Sequence, residues 1–203
     1  MRIVHRSAFC LGVAVLAAGA ARADLTAVVH DCEGCHGPKG VSAWPNVPTI
    51  AGISSGVHAD YLLTYREKGR PCPKSKYRQG DTKRAATDMC AVAGKLTEAD
   101  IEAVAAHFDT QPFVPARQTA DVTKAAAGGK IHTRDCEACH SDAGRDAGAD
   151  ASILAGQWMP YLQLSLAEFA SGNRPQLEKM KEKLDNLSAA DLEALVHFYG
   201  SQQ

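Results

Sequence analysis

The sequence has few aromatic residues and, beyond its N-terminus, no long hydrophobic run. Phe, Trp and Tyr make up 6% of the 203 residues. After residue 23, no segment approaches the roughly 20 consecutive apolar residues that a membrane-spanning helix needs. Sustained alternation of apolar and polar residues, the pattern of a half-buried strand, is also missing. These absences exclude a membrane span in the mature chain and predict an all-α fold.

An excess of positive charge and a glycine-rich nucleotide-binding fingerprint are missing as well. The chain has 22 Lys and Arg against 23 Asp and Glu, a formal net charge of −1. Nucleic-acid binding is usually accompanied by clustered basic charge, so we expect no nucleic-acid partner. Because no Gly-x-Gly-x-x-Gly segment is present, we expect no flavin on this chain.

The first 23 residues have the features of an export signal. The basic residues Arg2 and Arg6 precede the apolar run AFCLGVAVLAAGA. The small-residue sequence ARA follows this run and ends just before Asp24. This order is typical of a cleaved secretory signal peptide. We therefore predict that residues 1–23 are removed. The six remaining cysteines would then lie in an oxidising compartment.

A short cassette occurs twice, as HDCEGCH at residues 30–36 and as RDCEACH at residues 134–140. Residues 24–111 align with residues 119–203 so that the cassettes and several other features coincide. The segment between them contains prolines and has no helical period. We therefore predict two homologous domains, 24–111 and 119–203, joined by a linker at residues 112–118.

The cassette has the Cys-x-x-Cys-His spacing of c-type haem attachment. Two thiols at this spacing can add to the two vinyl groups of one haem, while the adjacent His coordinates the iron. The predicted thioether positions are Cys32, Cys35, Cys136 and Cys139, and the predicted iron ligands include His36 and His140. A redox disulfide and a zinc site are the alternatives, but structural zinc needs four ligands in matched pairs. The His that follows directly in both copies favours two covalently bound haem c groups.

A sixth iron ligand is expected further along each half, and Met is a common choice in electron-transfer cytochromes. Met89 and Met180 each stand eleven residues before a matching Asp, and we predict that they are these ligands. Met159 has no such partner and is expected to pack. His ligation is the alternative. The histidines without a counterpart in the other half, to which we assign no ligand role, are His30, His58, His107, His132 and His197.

Each half ends in a predicted amphipathic helix. Thr97 and Ser188 are each followed three residues later by an Asp, as in a capping box. Apolar residues then recur at helical spacing. Before the second cassette, Gly128 and Gly129 weaken a predicted helix, and we expect them to permit a close helix crossing.

The segments between cassette and Met also align. Gly52 pairs with Gly156, and Tyr61 pairs with Tyr161 after a short gap. A further helix is expected in each half. Each domain is therefore predicted to be a small all-α bundle wrapped around its haem.

The halves differ most before the predicted Met ligand. From the cassette His to the Met is 53 residues in the first half and 40 in the second. The longer stretch holds Cys72 and Cys90, for which a disulfide is predicted in an exported chain, with free packed thiols as the alternative. Its basic residues are Arg66, Lys68, Arg70, Lys74, Lys76, Arg78, Lys83 and Arg84. Such a run is usually a solvated face; a docking surface for an acidic redox partner is the sharper hypothesis.

Together these residues resemble a diheme class I cytochrome c of the cytochrome c4 family. In the second half, ILAGQWMPYLQ, the NRP that precedes Met180 and the ending HFYGSQQ are similar to the diheme cytochrome subunit of flavocytochrome c sulfide dehydrogenase. The first half, with its extra basic stretch, departs from that subunit. The resemblance implies a periplasmic protein of two tandem class I cytochrome c domains, with thioether bonds and axial ligands at the cassette and Met positions named above.

The resemblance implies an electron-transfer subunit rather than an enzyme. It would accept electrons from an FAD-containing, sulfide-oxidising flavoprotein in a heterodimer and pass them to a small cytochrome c or an oxidase. The alternative is a freestanding shuttle of the cytochrome c4 type between a quinol-oxidising complex and a terminal oxidase. A diheme peroxidase would need an open iron site, which His/Met ligation closes.

Overall fold

The computed structural model describes residues 24–148 and 151–203. The predicted signal peptide, residues 1–23, lies outside these residues. Within them the regular structure is helical, so the all-α prediction is confirmed, and the only ladder contact is an isolated antiparallel bridge between Ser75 and Thr87. None of the helices in this part of the chain is long and apolar enough to cross a membrane.

The first half contains four α-helices and a short 3₁₀ turn. They are α1 (Leu25–His36), the turn (Pro38–Gly40), α2 (Ser55–Arg66), α3 (Met89–Ala93) and α4 (Glu98–Asp109). The second half contains five helices, and the first of them runs into a π-helical turn. They are α5 (Val122–Ile131), the π-turn (His132–Cys136), α6 (Ser141–Gly144), α7 (Met159–Ala170), α8 (Glu178–Asp185) and α9 (Ala189–Gly200).

The last helix of each half begins at the predicted cap. In α4 the Thr97 side chain accepts from the backbone of Asp100, and the Asp100 carboxylate accepts from the backbone of Thr97. In α9, Ser188 and Asp191 make the same reciprocal pair. Both capping boxes are therefore confirmed, and each satisfies two backbone donors that the first turn of a helix leaves free.

Each half has its own hydrophobic core, closed by its last helix. In the first, α1 and α2 pack on α4 around the fully buried Phe108. In the second, α5 and α7 pack on α9 around Tyr199. Helices α5 and α9 approach so closely that a Cβ at Gly128 would overlap the carbonyl of Ala194. The expected close crossing at Gly128 is therefore confirmed.

The structure gives a single register from cassette to helix. Gly52 and Gly156, which both have positive φ, keep the same separation as the two cassettes, and so do the first residues of α2 and α7. No gap is needed. The expected pairing of Tyr61 with Tyr161 is wrong, because Tyr61 is the seventh residue of α2 whereas Tyr161 is the third of α7.

The two halves contact each other through hydrogen bonds from the start of α7. The Gln157 side chain accepts from the backbone N–H of Thr49 at 3.0 Å and donates to its carbonyl at 2.9 Å. The indole Nε1 of Trp158 donates to the carbonyl of Ser42 at 2.9 Å. Gln157 and Thr49 are both buried, so these bonds are shielded from water.

A buried ion pair also joins the halves. The Arg70 guanidinium lies 2.8 Å from the Glu168 carboxylate, and their side chains are only 3% and 7% exposed. Arg70 therefore does not belong to a solvated basic face. Its equivalent in the second half, Arg174, is buried over the rings of Tyr61 and Phe169.

Candidate functional site

The first cassette forms the last turns of α1. Cys32, Cys35 and His36 all lie within this helix, and His36 is buried. The His36 Nδ1 lies 2.9 Å from the carbonyl oxygen of Pro48. Because a carbonyl only accepts, Nδ1 must donate, which leaves Nε2 with a lone pair for a metal. Burial lowers the pKa of His36, so the neutral, ligating form is favoured.

The two thiols of the first cassette, Cys32 and Cys35, form no disulfide and are kept protonated by their surroundings. Burial raises the pKa of the Cys32 thiol to about 12, and burial together with Asp31 raises the pKa of Cys35. Redox-active Cys-x-x-Cys motifs have depressed thiol pKa values instead. This environment argues against the redox-disulfide alternative and suits thiols that end as thioethers.

The second cassette has a different backbone. Cys136 ends the π-turn, and His140 follows in a non-helical conformation with φ −112° and ψ 62°. All four cassette cysteines, Cys32, Cys35, Cys136 and Cys139, are free. The Nδ1 of His140 is buried and has no hydrogen-bond partner among the described residues. Burial, with a smaller contribution from His132, lowers the pKa of His140, so this imidazole is also held neutral.

In both halves the segment that carries the predicted Met ligand is bound to the cassette through an acid. Asp31, which precedes Cys32, lies 2.6 Å from Arg84, a few residues before Met89. Asp135, which precedes Cys136, lies 3.3 Å from Lys183, one helical turn after Met180. The structure thus brings each Met-bearing segment to its own cassette.

The three methionines have different surroundings. Met89 is the first residue of α3 and packs against the first core. Met180 lies in α8 and is half-buried. Met159 packs against the second core, close to Gly200, as expected for a packing residue.

The extra chain of the first half folds over the first cassette. We call residues 72–88 the inserted segment. Its Tyr77 ring is buried against Gly34, where a Cβ would lie 2.8 Å from the ring. The backbone N–H groups of Arg78 and Gln79 donate to the Gly34 carbonyl at 2.7 and 3.2 Å. A disulfide joins Cys72 to Cys90, which directly follows Met89.

Comparison with known proteins identifies the group to which this arrangement belongs. The cytochrome c family profile matches residues 21–111. Cytochrome c4 of Pseudomonas aeruginosa is 28% identical over 198 residues, which cover 91% of this chain and 90% of that protein. The crystal structure of reduced recombinant cytochrome c4 from Pseudomonas stutzeri has a TM-score of 0.70 at 26% identity, over 89% of this chain and 99% of that one. These matches support the predicted assignment to the diheme class I cytochromes c of the cytochrome c4 type.

A third relative of the chain is a thiosulfate dehydrogenase electron acceptor of Stutzerimonas stutzeri. It is 28% identical over 156 residues, which cover 70% of this chain and 64% of that protein. The predicted family and the class I cytochrome c fold are confirmed. Cytochrome c4 homologues are electron-transfer proteins, and the cytochrome c family implies covalently bound haem c.

The two cassettes of the chain fit a covalently bound haem c. Each supplies two free thiols at the attachment spacing and an imidazole whose lowered pKa keeps it neutral. In the first, the Pro48 carbonyl fixes the imidazole tautomer, as neighbouring acceptors commonly do for metal-bound His. Among the described residues, the only cluster of three possible metal-ligating side chains is Cys72, Asp88 and Cys90. Its cysteines are bonded to each other, so it offers no zinc site.

Sequence reasoning missed a buried polar network at the second cassette. His132 is 1% exposed; its Nδ1 lies 2.9 Å from the Tyr199 hydroxyl, and its Nε2 contacts the Glu137 carboxylate. The equivalent residues to His132 and Tyr199 in the first half are Val28 and Phe108, which cannot form it. The available signal was this paired substitution of two apolar residues by two polar ones.

Proposed function

We propose that the chain carries two haem c groups, one in each of two domains, residues 24–111 and 119–203, joined by the linker 112–118. The thioether bonds form at Cys32, Cys35, Cys136 and Cys139, and the axial ligands are His36 with Met89 and His140 with Met180. Each bound haem supplies an iron that takes up and releases one electron. With both axial positions filled by protein, the chain offers no open site to a substrate, and its role is electron transfer.

The repeated contact between cassette acid and Met-bearing segment carries this proposal. The two ion pairs, Asp31 with Arg84 and Asp135 with Lys183, use different bases on different local structures. In both halves the ion pair nevertheless holds the Met-bearing segment to the Asp that directly precedes the first cassette cysteine. The similarity to a cytochrome c4 also supports two haems per chain, since that alignment covers 91% of the chain and includes both cassettes.

The test is a haem count combined with matched methionine variants. The purified holoprotein should contain two haems per chain by the pyridine haemochrome assay. Met89→Leu and Met180→Leu should each remove about half of the weak red absorption band of iron–thioether ligation, whereas the volume-matched control Met159→Leu should keep all of it. One haem per chain, or an unchanged band in either ligand variant, would overturn the proposal.

For the donor we propose a partner chain that oxidises a reduced sulfur compound in the periplasm. Two features support it: the similarity of the second half to the cytochrome subunit of a sulfide-oxidising flavoprotein complex, and the similarity to a thiosulfate dehydrogenase electron acceptor. An FAD-containing, sulfide-oxidising flavoprotein in a heterodimer is the specific partner expected. The electrons then leave to a small cytochrome c or an oxidase.

A freestanding shuttle between a quinol-oxidising complex and an oxidase is the second candidate. It is supported by the alignment with a cytochrome c4 over 90% of that protein's length. Purification of the native protein at low salt separates the two candidates. Co-elution with a flavin-containing chain supports the heterodimer, co-elution with a dehydrogenase lacking flavin supports the broader sulfur assignment alone, and a lone diheme protein at every salt concentration supports the shuttle.

A further inference from the structure

The inserted segment concentrates positive charge in an otherwise acidic chain. Residues 72–88 contain five Lys and Arg against two Asp, while the rest of residues 24–203 contains 14 Lys and Arg against 21 Asp and Glu. The second half has no equivalent, because only five residues separate Arg174 from Met180. The two ends of the molecule therefore present different charge to a partner.

Not every base in this stretch is available to a partner. Arg70 lies outside the inserted segment and is buried against Glu168. Within the segment, Lys74 pairs with Asp88 at 2.6 Å and Arg84 pairs with Asp31. Lys76 and Lys83 are exposed, and in the part of the chain that the structure describes neither side chain makes an ion pair. The fifth base, Arg78, is half-buried and donates to the side-chain oxygen of Asn46 at 3.3 Å. Lys76 and Lys83 are therefore the exposed free charge of the surface.

The segment is held rigidly against the first haem-attachment cassette. The disulfide Cys72–Cys90 closes it, and Ser75 and Thr87 exchange two backbone hydrogen bonds of 2.7 and 2.9 Å. The Sγ of Cys35 lies 3.9 Å from the Lys76 carbonyl. A charged surface that is already ordered loses little conformational entropy when a partner binds.

We propose that the inserted segment is the docking surface for a redox protein with a carboxylate-lined face. Docking there brings the partner's redox centre to the first cassette, and one electron passes from that reduced centre to the ferric iron held at His36, which becomes ferrous. The inference rests on the proposed function, since it requires a haem at the first cassette. It assigns external exchange with this partner to the first half.

A protein partner fits this surface better than a lipid surface does. Membrane adsorption by basic segments needs several clustered Lys or Arg and is strengthened by apolar side chains that insert. Here two acids lie among the five bases, and none of the exposed large hydrophobic residues of the described chain falls within the segment. Mixed charge on an ordered surface instead favours electrostatic steering toward a complementary protein.

The experiment compares two charge-matched double variants of the holoprotein. Lys76→Glu/Lys83→Glu reverses the free charge of the inserted segment, and the control Arg117→Glu/Lys130→Glu reverses two exposed bases elsewhere. The probe is flavodoxin, an acidic flavoprotein, in its reduced form for stopped-flow haem reduction and in its oxidised form for calorimetric binding. Hexaammineruthenium(II), a small cationic donor, reports whether the haems themselves react normally.

For the wild type, the rate constant with flavodoxin should fall as ionic strength rises. The Lys76→Glu/Lys83→Glu variant should show a rate constant lower by about tenfold at low ionic strength and weaker calorimetric binding, while the control should change less than about twofold. Equal effects of the two variants, or no dependence on ionic strength, would overturn the docking proposal, as would Lys76- and Lys83-dependent binding to phosphatidylglycerol vesicles with none to flavodoxin. Failure of hexaammineruthenium(II) to reduce any of the proteins would instead count against the proposed electron-transfer function.

Discussion

His58 provides a pH test of the packing around the first haem-attachment cassette. It lies on α2 and is 6% exposed, and its buried Nδ1 has no hydrogen-bond partner in the part of the chain that the structure describes. Burial, and to a lesser degree His36, lowers its pKa from 6.5 to about 4. The equivalent fourth residue of α7 is Leu162, which is 3% exposed. The substitution His58→Leu therefore gives the first half the leucine that the second half has at the equivalent position.

The expected magnitude follows from proton linkage. Because the pKa of His58 is lower in the folded state, the unfolded chain binds the proton first as the pH falls below 6.5. The free energy of unfolding therefore decreases from about pH 7 down to about pH 4. With pKa values of 6.5 and about 4, the loss between pH 7.5 and pH 4.5 is on the order of 2 to 3 kcal/mol. The Leu variant has no such loss, and at pH 7.5 it should be as stable as the wild type or more so, since a buried nitrogen without a partner has been removed.

The measurement is guanidinium unfolding of the holoprotein, followed by circular dichroism at both pH values. Other titrating groups contribute equally to the wild type and the variant, so the change in their difference isolates His58. Replacement of an exposed histidine, His30→Gln, serves as the control. If the difference between wild type and His58→Leu stays constant within about 0.5 kcal/mol, the linkage argument fails.

Two further predictions concern contacts between distant parts of the chain. Gly128→Ala should lower the free energy of unfolding by about 2 kcal/mol or more, because the new Cβ meets the backbone of Ala194. The control Gly129→Ala should be close to neutral, because its Cβ would meet only the Phe198 ring at 3.3 Å. Equal losses of the two variants in urea unfolding would contradict the reasoning. Removing the disulfide with Cys72→Ala/Cys90→Ala, which opens a loop of 18 residues, should cost about 3 kcal/mol; a loss under about 1 kcal/mol in the same assay would show that the other contacts of the inserted segment already hold it.

The features that the sequence predicted correctly have local signals. A capping box is contained in four residues, so Thr97 with Asp100 was visible without any knowledge of the fold. The close crossing at Gly128 also follows from a residue that has no side chain to keep a neighbouring helix away. The cassette spacing is equally local, which is why the family could be predicted from it.

The features that it did not predict depend on partners far along the chain. Arg70 was included in a basic face because its neighbours are basic, but its acid, Glu168, lies 98 residues away. The same holds for His132 and its contact with Tyr199, 67 residues away. The pairing of Tyr61 with Tyr161 failed for another reason: identity of residue type was preferred over an ungapped register, and the helix bounds show that the register was the better guide.

The contact between the halves shows how far the two copies have diverged. Arg70 and Arg174 occupy equivalent positions, but only Arg70 faces an acid, because the residue equivalent to Glu168 in α2 is Thr64, whose hydroxyl donates to the carbonyl of Asp60 on its own helix. Arg174 makes no ion pair among the described residues and lies over the rings of Tyr61 and Phe169 instead. The effect of the two buried cations is visible at Tyr161: burial alone would raise its pKa, yet the nearby Arg174 and Arg70 lower it below the usual value. A chain built from two first halves would have Thr in place of Glu168 and would leave both guanidinium groups without an acid, so this interface requires one copy of each half.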